Sequence, residues 1–183
     1  MTASPPSSGR FGSGPPPPRL ERPRRVLVVG ATGRLGVAIA RALAKRGDQV
    51  ALTARDGPKL EGLAAELEAF GPPPRVIVQD LKKPDAPDRI AGELLATGGV
   101  DDVVLACGPF PRTPLEELRR EDLEFCLTVH AIAPLLLVNA LADELGKRNG
   151  AVVALADAGV ARPYTNHVAY LTAKGALQTG LRG

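Results

Sequence analysis

The chain contains no tryptophan, only two cysteines and few aromatic residues, which make up 3% of its 183 residues. A core must therefore be built from alanine, valine, leucine and isoleucine, and a hydrophobic content of 44% is enough for one domain. Cys107 and Cys126 do not have the spacing of a CxxC or metal-binding pair. We interpret them as reduced thiols of a cytoplasmic protein and predict no metal site.

The sequence also lacks the apolar segments that membranes and secretion require. No uninterrupted apolar run of about 18 residues is present, so we expect no membrane span. The N-terminus lacks the apolar centre of a signal peptide. The first 25 residues carry five arginines and one glutamate, so the net charge of +3 leaves the rest of the chain at −1. This balance, with no pattern of alternating aromatic and basic residues, argues against nucleic-acid binding.

Proline, serine and glycine dominate residues 1–24, which we predict to be a disordered tail. The four prolines at 15–18 are consistent with a polyproline ligand, and an inert extension is the alternative interpretation.

Beyond the tail, short apolar runs alternate with amphipathic stretches. We predict strands in RVLVVG, QVALTAR, RVIVQDL, VDDVVLACG and GAVVALAD. Helices are predicted in RLGVAIARALAKRG, GPKLEGLAAELEAFG and PDAPDRIAGELLATGG, over about 122–146, and from Val168 onwards. The alternation predicts an α/β fold over residues 25–183, a Rossmann-type, doubly wound parallel sheet in three αβα layers.

Three local details are predicted within these elements. Leu35, Ile39 and Leu43 have the spacing of the buried stripe of the first helix. In TPLEEL, we expect Thr113 to cap a helix. Pro134 predicts a kink in the long helix.

Ligands of such sheets bind beyond the carboxyl ends of the strands. The segment GATGRLG, residues 30–36, joins the first strand to the first helix there. Its glycines allow a tight turn and a close approach to a pyrophosphate. The spacing differs from the usual G-x-G-x-x-G, and a tight connection without a ligand is the alternative.

Two charged residues follow the next two strands. Arg55 stands where NAD-binding sheets place an acid, and it can pair with a ribose 2′-phosphate, which favours NADP. The adjacent Asp56 can relax that preference. Asp80 can accept a hydrogen bond from an adenine amino group or cap the next turn.

The segment YLTAK places Tyr170 and Lys174 one helical turn apart. We expect the lysine ammonium to lower the pKa of the phenol, which would make it a better proton donor and acceptor. Asp157 lies 13 residues upstream, at the end of the fifth strand.

These residues resemble those of the short-chain dehydrogenase/reductase family from Val26 onwards. Within it, the chain is similar to the pteridine and dihydromonapterin reductases, whose glycine turn carries Arg-Leu-Gly as at 34–36. GPFPRTPLEEL resembles the segment in which a phenylalanine of that branch stacks on the pterin, here Phe110. AIAPLLL resembles its central helix, and Asp157 replaces the usual catalytic serine, as in that branch.

The resemblance implies an NADPH-dependent reductase of a small molecule that forms homodimers or homotetramers. The implied catalytic residues are Tyr170, Lys174, Asp157 and His130. The implied substrate contacts are Arg34, Phe110, Asp157 and Tyr170. The implied cofactor contacts are Gly30, Arg34, Leu35, Gly36, Arg55, Asp80, Leu81, Ala106, Gly108, Tyr170 and Lys174.

The sequence departs from the family in three places. The segment LACG at 105–108 lacks the two asparagines of the family's NNAG. His130 replaces an asparagine that holds a proton-relay water, and it either supports the relay or is a structural histidine. The family continues well beyond the lysine, so we expect a fold that is truncated, and a sheet that is incomplete, at the C-terminus.

Three functions remain open at this point. The first is an NADPH-dependent reductase that transfers hydride to a C=N or C=O bond, such as that of a pterin, with Tyr170 as proton donor. The second is a general carbonyl or 3-oxoacyl reductase of the same family. The third is a non-catalytic dinucleotide-binding protein.

Overall fold

The fold is a parallel sheet with helices on both faces, as a computed structural model of residues 22–182 shows. Its strands are paired in the order β3-β2-β1-β4-β5. They are Arg25–Val29 (β1), Gln49–Ala54 (β2), Arg75–Val78 (β3), Asp102–Leu105 (β4) and Ala151–Ala154 (β5). The α-helices in this part of the chain are Arg34–Arg46 (α1), Gly57–Leu67 (α2), Ala86–Ala96 (α3), Arg120–Leu127 (α4), Ala133–Lys147 (α5) and Val168–Gly180 (α6). The predicted Rossmann-type α/β class is confirmed.

The central strand β1 shows how the two faces are filled. Successive side chains of a strand point to opposite faces. Leu27 and Val29 therefore join a core with α3 and α5, whereas Val28 joins a second core with α1 and α2. All strand pairs are parallel, so every strand ends at the same edge of the sheet. The strand ends converge at this edge, where the sequence predicts the ligand site.

The predicted stripe of α1 is confirmed for Ile39 and Leu43, which pack against the core, and is wrong for Leu35. Leu35 is 57% exposed, and Ile39 and Leu43 are only partly buried. The residues of α1 that face the sheet are small, namely Gly36, Ala40 and Ala44. Small side chains allow the helix to lie close to the strands, so the fully buried positions of α1 are glycine and alanine.

The predicted cap at Thr113 is also wrong. Pro114 precedes only a short 3₁₀ turn, Leu115–Glu117. Thr113 instead anchors the start of α6, because its Oγ1 accepts a hydrogen bond from the amide of Ala169 at 3.1 Å. Its own amide donates to the carbonyl of Asn166 at 2.6 Å. The threonine thus ties the loop after β4 to the helix that carries Tyr170.

The long helix is continuous from Arg120 to Lys147, and its irregularity lies before the predicted position. Residues Thr128–Ile132 form a π-helical segment, and Pro134 follows it in the first turn of α5. By length and composition this run is apolar enough to cross a membrane, contrary to the expectation that no segment is, and less than half of its most apolar part is buried. Parts of this run pack against α3 and α6.

An ion-pair network closes the amino-terminal edge of the sheet. Asp101 is fully buried, and its carboxylate accepts hydrogen bonds from the amide of Arg25 at 2.8 Å and from the guanidinium of Arg22 at 3.0 and 3.1 Å. Arg148 adds a third donor at 3.3 Å. The predicted tail of residues 1–24 lies outside the described residues except for its last three, and Arg22 and Arg24 belong to the packed domain.

The Asp101 network predicts an acid-sensitive contribution to stability. Burial alone would raise the pKa of Asp101, but the hydrogen bonds from Arg22, Arg25 and Arg148 outweigh it and lower the pKa to about 2. A carboxyl whose pKa is lower in the folded state stabilises the fold above its unfolded pKa, and this contribution disappears as the pH falls from about 4 to about 2.

We therefore expect Asp101→Asn to lower the free energy of unfolding at neutral pH by about 2 kcal/mol. The variant should lose less stability than the wild type between pH 4 and pH 2. Urea titrations across this range measure both effects. Asp85→Asn, which removes an exposed partner of Arg89, is the matched control and should change nothing measurable. Equal acid sensitivity of wild type and Asp101→Asn would contradict the assignment.

Candidate active site

A cleft of about 280 Å³ lies beyond the carboxyl ends of the strands. The loops that follow β1, β2, β3 and β4 form its walls, and the π-helical segment and α4 close one side. The predicted cofactor residues whose atoms line it are Gly30, Arg55, Asp80, Leu81, Ala106 and Gly108. The other predicted cofactor residues do not line it: Arg34, Leu35 and Gly36 lie in the first turn of α1, and Tyr170 and Lys174 lie on α6.

The glycine turn after β1 brings two backbone segments into contact. Gly30 has φ +80°, and its amide and that of Ala31 both donate to the carbonyl of Thr53. A Cβ at Gly30 would lie 2.6 Å from the Cα of Cys107, so no side chain fits there. Gly33 is the N-cap of α1 and has no side chain to cap the helix. The amides of the first turn are therefore free to bind an anion, which is the role that Arg34, Leu35 and Gly36 can have through their backbone.

Arg55 supplies a positive charge at the rim of the cleft. Its side chain is exposed, and no carboxylate within residues 22–182 forms an ion pair with it. The neighbouring Asp56 is engaged elsewhere, because it caps α2 by accepting from the amide of Lys59 at 3.1 Å and pairs with the Lys59 ammonium at 2.8 Å. Lys59 also lowers the pKa of Asp56 through these hydrogen bonds. Asp56 therefore leaves Arg55 available for a phosphate.

Asp80 caps the turn that follows β3, which is one of the two roles predicted for it. Its Oδ1 accepts from the amide of Lys82 at 3.1 Å, and the Lys82 ammonium lies 3.6 Å from Oδ2. The carboxylate nevertheless lines the cleft beside the buried Leu81, so both roles are compatible with the geometry.

The second half of the site is the contact between Tyr170 and Asp157. The Tyr170 hydroxyl donates to Asp157 Oδ2 at 2.8 Å, and the other oxygen of Asp157 accepts from the amide of Gly159 at 2.7 Å. Tyr170 is 8% exposed and lies on α6, one turn before the buried Lys174. The structure thus joins the two residues that the sequence separates by 13 positions.

The expected effect of Lys174 on the phenol is wrong for this conformation. The Lys174 ammonium donates to the carbonyl of Leu155 at 2.9 Å and lies 5.9 Å from the centre of the Tyr170 ring. Burial and the hydrogen bond to Asp157 raise the pKa of Tyr170 above its usual value. A carboxylate that accepts the O–H bond stabilises the protonated phenol. Tyr170 therefore keeps its proton at neutral pH.

Three further ring side chains surround this hydroxyl. Phe110 is stacked on His167 with ring centres 3.9 Å apart, and it meets Tyr170 edge to face at 4.7 Å. Tyr164 lies 6.1 Å from Phe110, and burial and the Asp157 carboxylate raise its pKa. The sequence reasoning missed Tyr164 and His167. In a chain with so few rings, the presence of both just before Tyr170 was the available signal.

His130 is close to Tyr170 but is not hydrogen bonded to it. Its side chain is 1% exposed, the centres of the two rings are 5.1 Å apart, and its Nε2 lies 2.8 Å from the carbonyl of Pro109. Burial lowers the pKa of His130 to about 4, so the imidazole is neutral at neutral pH. Among the described residues, no group pairs with its Nδ1. These contacts agree with the alternative that His130 is a structural histidine, and its role in a proton relay stays a prediction.

The geometry places a glycine turn, the exposed Arg55 and a buried tyrosine–lysine pair at one edge of a parallel sheet. A family model described as short chain dehydrogenase matches residues 24–182. The chain belongs to the short-chain dehydrogenase family.

Individual relatives agree with this assignment. An uncharacterised oxidoreductase of Streptomyces coelicolor is 33% identical over 88% of the chain and 65% of its own length. A short chain dehydrogenase of Pseudocercospora fijiensis is 30% identical over 84% of the chain and 51% of its own length. The chain thus spans about half to two thirds of the length of these relatives.

Solved structures of family members have the same fold. L-sorbose reductase from Gluconobacter frateurii, complexed with NADPH and L-sorbose, has a TM-score of 0.82 at 26% identity, over 86% of this chain and 61% of that one. An alcohol dehydrogenase from Thermococcus sibiricus, complexed with 5-hydroxy-NADP, has a TM-score of 0.81 at 27% identity, over 88% and 69%. The predicted pteridine reductase branch stays a prediction.

The contact between Asp157 and Tyr170 predicts a measurable shift in phenol ionisation. The chain has only two tyrosines and no tryptophan, so Tyr164→Phe leaves Tyr170 as the single ultraviolet reporter of phenolate. In that background we expect Tyr170 to titrate above its ordinary range, and Asp157→Asn to lower its pKa because the negative charge is removed. An unchanged titration in the double variant would show that Asp157 does not control the phenol.

Proposed function

We propose that this chain is the dinucleotide-binding and catalytic part of an NADPH-dependent reductase that reduces a C=O or C=N bond of a small molecule. The observation that carries the proposal is the hydrogen bond from the Tyr170 hydroxyl to Asp157, one turn from Lys174. It lies at the same edge of the sheet as the cleft, which Arg55 and the N-cap of α1 line. These features supply the binding groups and the proton that such a reduction needs.

The chain's residues fit the phosphates of NADPH. The amides of the first turn of α1 are uncapped, and Gly30 leaves no room for a side chain between the turn and Cys107. Arg55 has no acidic partner in the described part of the chain and can pair with a 2′-phosphate. The NADPH when bound supplies the hydride that adds to the carbon of the C=O or C=N bond.

Tyr170 completes the reduction by donating its phenolic proton to the oxygen or nitrogen of that bond. Its hydroxyl must first turn away from Asp157 toward the substrate, and the carboxylate then remains within reach to orient it. Lys174, whose pKa burial lowers, offsets the negative charge left on the phenolate. In the proposed mechanism the lysine therefore acts after proton transfer rather than before it.

A planar ring such as a pterin is the substrate class that we propose first. Phe110 is 54% exposed next to Tyr170 and offers a ring surface, and the exposed Arg34 offers a cation at the start of α1. The second candidate is a carbonyl substrate of the sugar or 3-oxoacyl type. It is favoured by the names of two relatives, the L-sorbose reductase above and a 3-oxoacyl (acyl-carrier-protein) reductase of Agrobacterium tumefaciens with NADP bound, 25% identical with a TM-score of 0.81.

Cofactor preference gives the first test of the proposal. We expect NADPH to bind more tightly than NADH, and Arg55→Gln to reduce the preference by roughly tenfold or more, because a charge-assisted bond to the 2′-phosphate is lost. Titrations that follow NADPH fluorescence measure both affinities. Arg120→Gln, an exposed arginine outside the cleft, is the matched control. Equal binding of NADH and NADPH by the wild type would contradict the role of Arg55.

Substrate turnover gives the second test. A dihydropterin, a sugar ketone and a 3-oxoacyl thioester are offered with NADPH to the wild type, to Tyr170→Phe and to the matched variant Tyr164→Phe. We expect Tyr170→Phe to lower kcat by roughly 100-fold or more while NADPH still binds, since the proton donor is removed. Turnover of the sugar ketone or the thioester alone would favour the second substrate class. Tight NADPH binding without turnover of any of the three substrates would favour the third function, a non-catalytic dinucleotide-binding protein.

A further inference from the structure

The two histidines of the chain hold the same three-residue segment. His130 Nε2 lies 2.8 Å from the carbonyl oxygen of Pro109, and His167 Nδ1 lies 2.8 Å from the carbonyl oxygen of Pro111. The residue between these two carbonyls is Phe110. The histidines come from different elements, the π-helical segment and the start of α6, so the segment is fixed from two sides.

The chemistry of the contacts fixes both tautomers. A carbonyl oxygen only accepts hydrogen bonds, so the nitrogen that faces it carries the proton in each case. His130 is therefore protonated at Nε2 and has a bare, buried Nδ1, whereas His167 is protonated at Nδ1. In this arrangement His130 directs its only proton to the loop, and none is available for a relay toward Lys174.

The backbone is shaped to accept the His130 ring. Gly108 has φ +117°, and a Cβ at that position would overlap the imidazole. A substituted residue would be strained by both the dihedral angle and the contact. The glycine of LACG thus lets the loop lie directly on His130.

Phe110 is the residue that gains a fixed position. One face of its ring is stacked on His167 at an interplanar angle of 16°, and the ring stands almost perpendicular to Tyr170 at 88°. Over half of its side chain remains exposed. The ring is consequently a fixed wall beside the hydroxyl that donates the proton.

We propose that His130 and His167 form a clamp on residues 109–111, which fixes Phe110 beside Tyr170 and so selects the substrates that reach the proton donor. His130 is then a positioning residue and not part of a proton relay. The effect on substrates rests on the proposed reductase function, whereas the clamp itself can be tested without turnover.

Matched substitutions separate the clamp from the relay. The amide nitrogen of glutamine reaches about as far as Nε2 of histidine, and that of asparagine about as far as Nδ1. The clamp uses Nε2 of His130, so His130→Gln should retain it and His130→Asn should break it. The relay predicts the reverse order, since asparagine is the residue that the family carries here.

Fluorine NMR reads the position of Phe110 directly. The full chain is labelled with 4-fluorophenylalanine, which gives four resonances from its four phenylalanines, and Phe110→Leu assigns one of them. We expect His130→Asn to move the Phe110 resonance toward the unstacked position, and His130→Gln to leave it near the wild-type value. If His130→Asn leaves the resonance in place, or if both variants move it equally, the clamp is refuted.

The opposite order is expected at His167. Its bonding atom is Nδ1, so His167→Asn keeps a donor for Pro111 and His167→Gln does not, although both lose the stacked ring. His167→Gln should therefore displace the Phe110 resonance further than His167→Asn. This pair also provides the test if the His130 variants do not fold, and the same order at both positions would refute the clamp.

Kinetics test the effect on substrates once turnover is established. We expect His130→Asn to raise KM for the ring substrate roughly fivefold more than His130→Gln does, with a smaller change in kcat and no shift in its pH profile. A fall in kcat with a shifted pH profile that is larger in His130→Gln would indicate the relay. An absence of turnover in the wild type would contradict the proposed function and leave the NMR result on the clamp unaffected.

Discussion

The close approach of the backbone after β1 to the backbone after β4 is the constraint on which the site depends. After β1 the chain continues to β2 on one side of the sheet, and after β4 it continues to β5 on the opposite side. The two loops therefore diverge beyond their point of contact and leave a cleft between them. Gly30 makes the approach possible, because any side chain there would meet the Cα of Cys107. The amides of the first turn of α1, the cleft lining and the loop that carries Phe110 all take their positions from this contact.

A single carboxylate then links two parts of the site. Asp157 accepts hydrogen bonds from the Tyr170 hydroxyl and from the amide of Gly159. Its charge holds the proton on Tyr170, whereas the lysine is bound to a backbone carbonyl. Because the chain has few aromatic residues, the cluster of ring side chains around Tyr170 is its most distinctive feature.

Much of the fold was predictable because its signals are local. Apolar strands that alternate with amphipathic helices indicate a parallel sheet, and all five strands and the start of α6 agree with the prediction. The errors occurred where packing overrode the local pattern. The fully buried positions of α1 are glycine and alanine because the helix lies close to the sheet, and Thr113 bonds to α6 instead of capping its own turn.

The sequence by itself determined the fold class, the family resemblance, the glycine turn, Arg55 and the one-turn spacing of Tyr170 and Lys174. Each of these depends on residues that are near one another in the chain. Only the tertiary structure decided that Asp157 rather than Lys174 governs the phenol, and that both histidines hold the loop of Phe110. Those contacts join residues 13, 21 and 56 positions apart. Their distances arise from how the helices pack on the sheet, which no local pattern encodes.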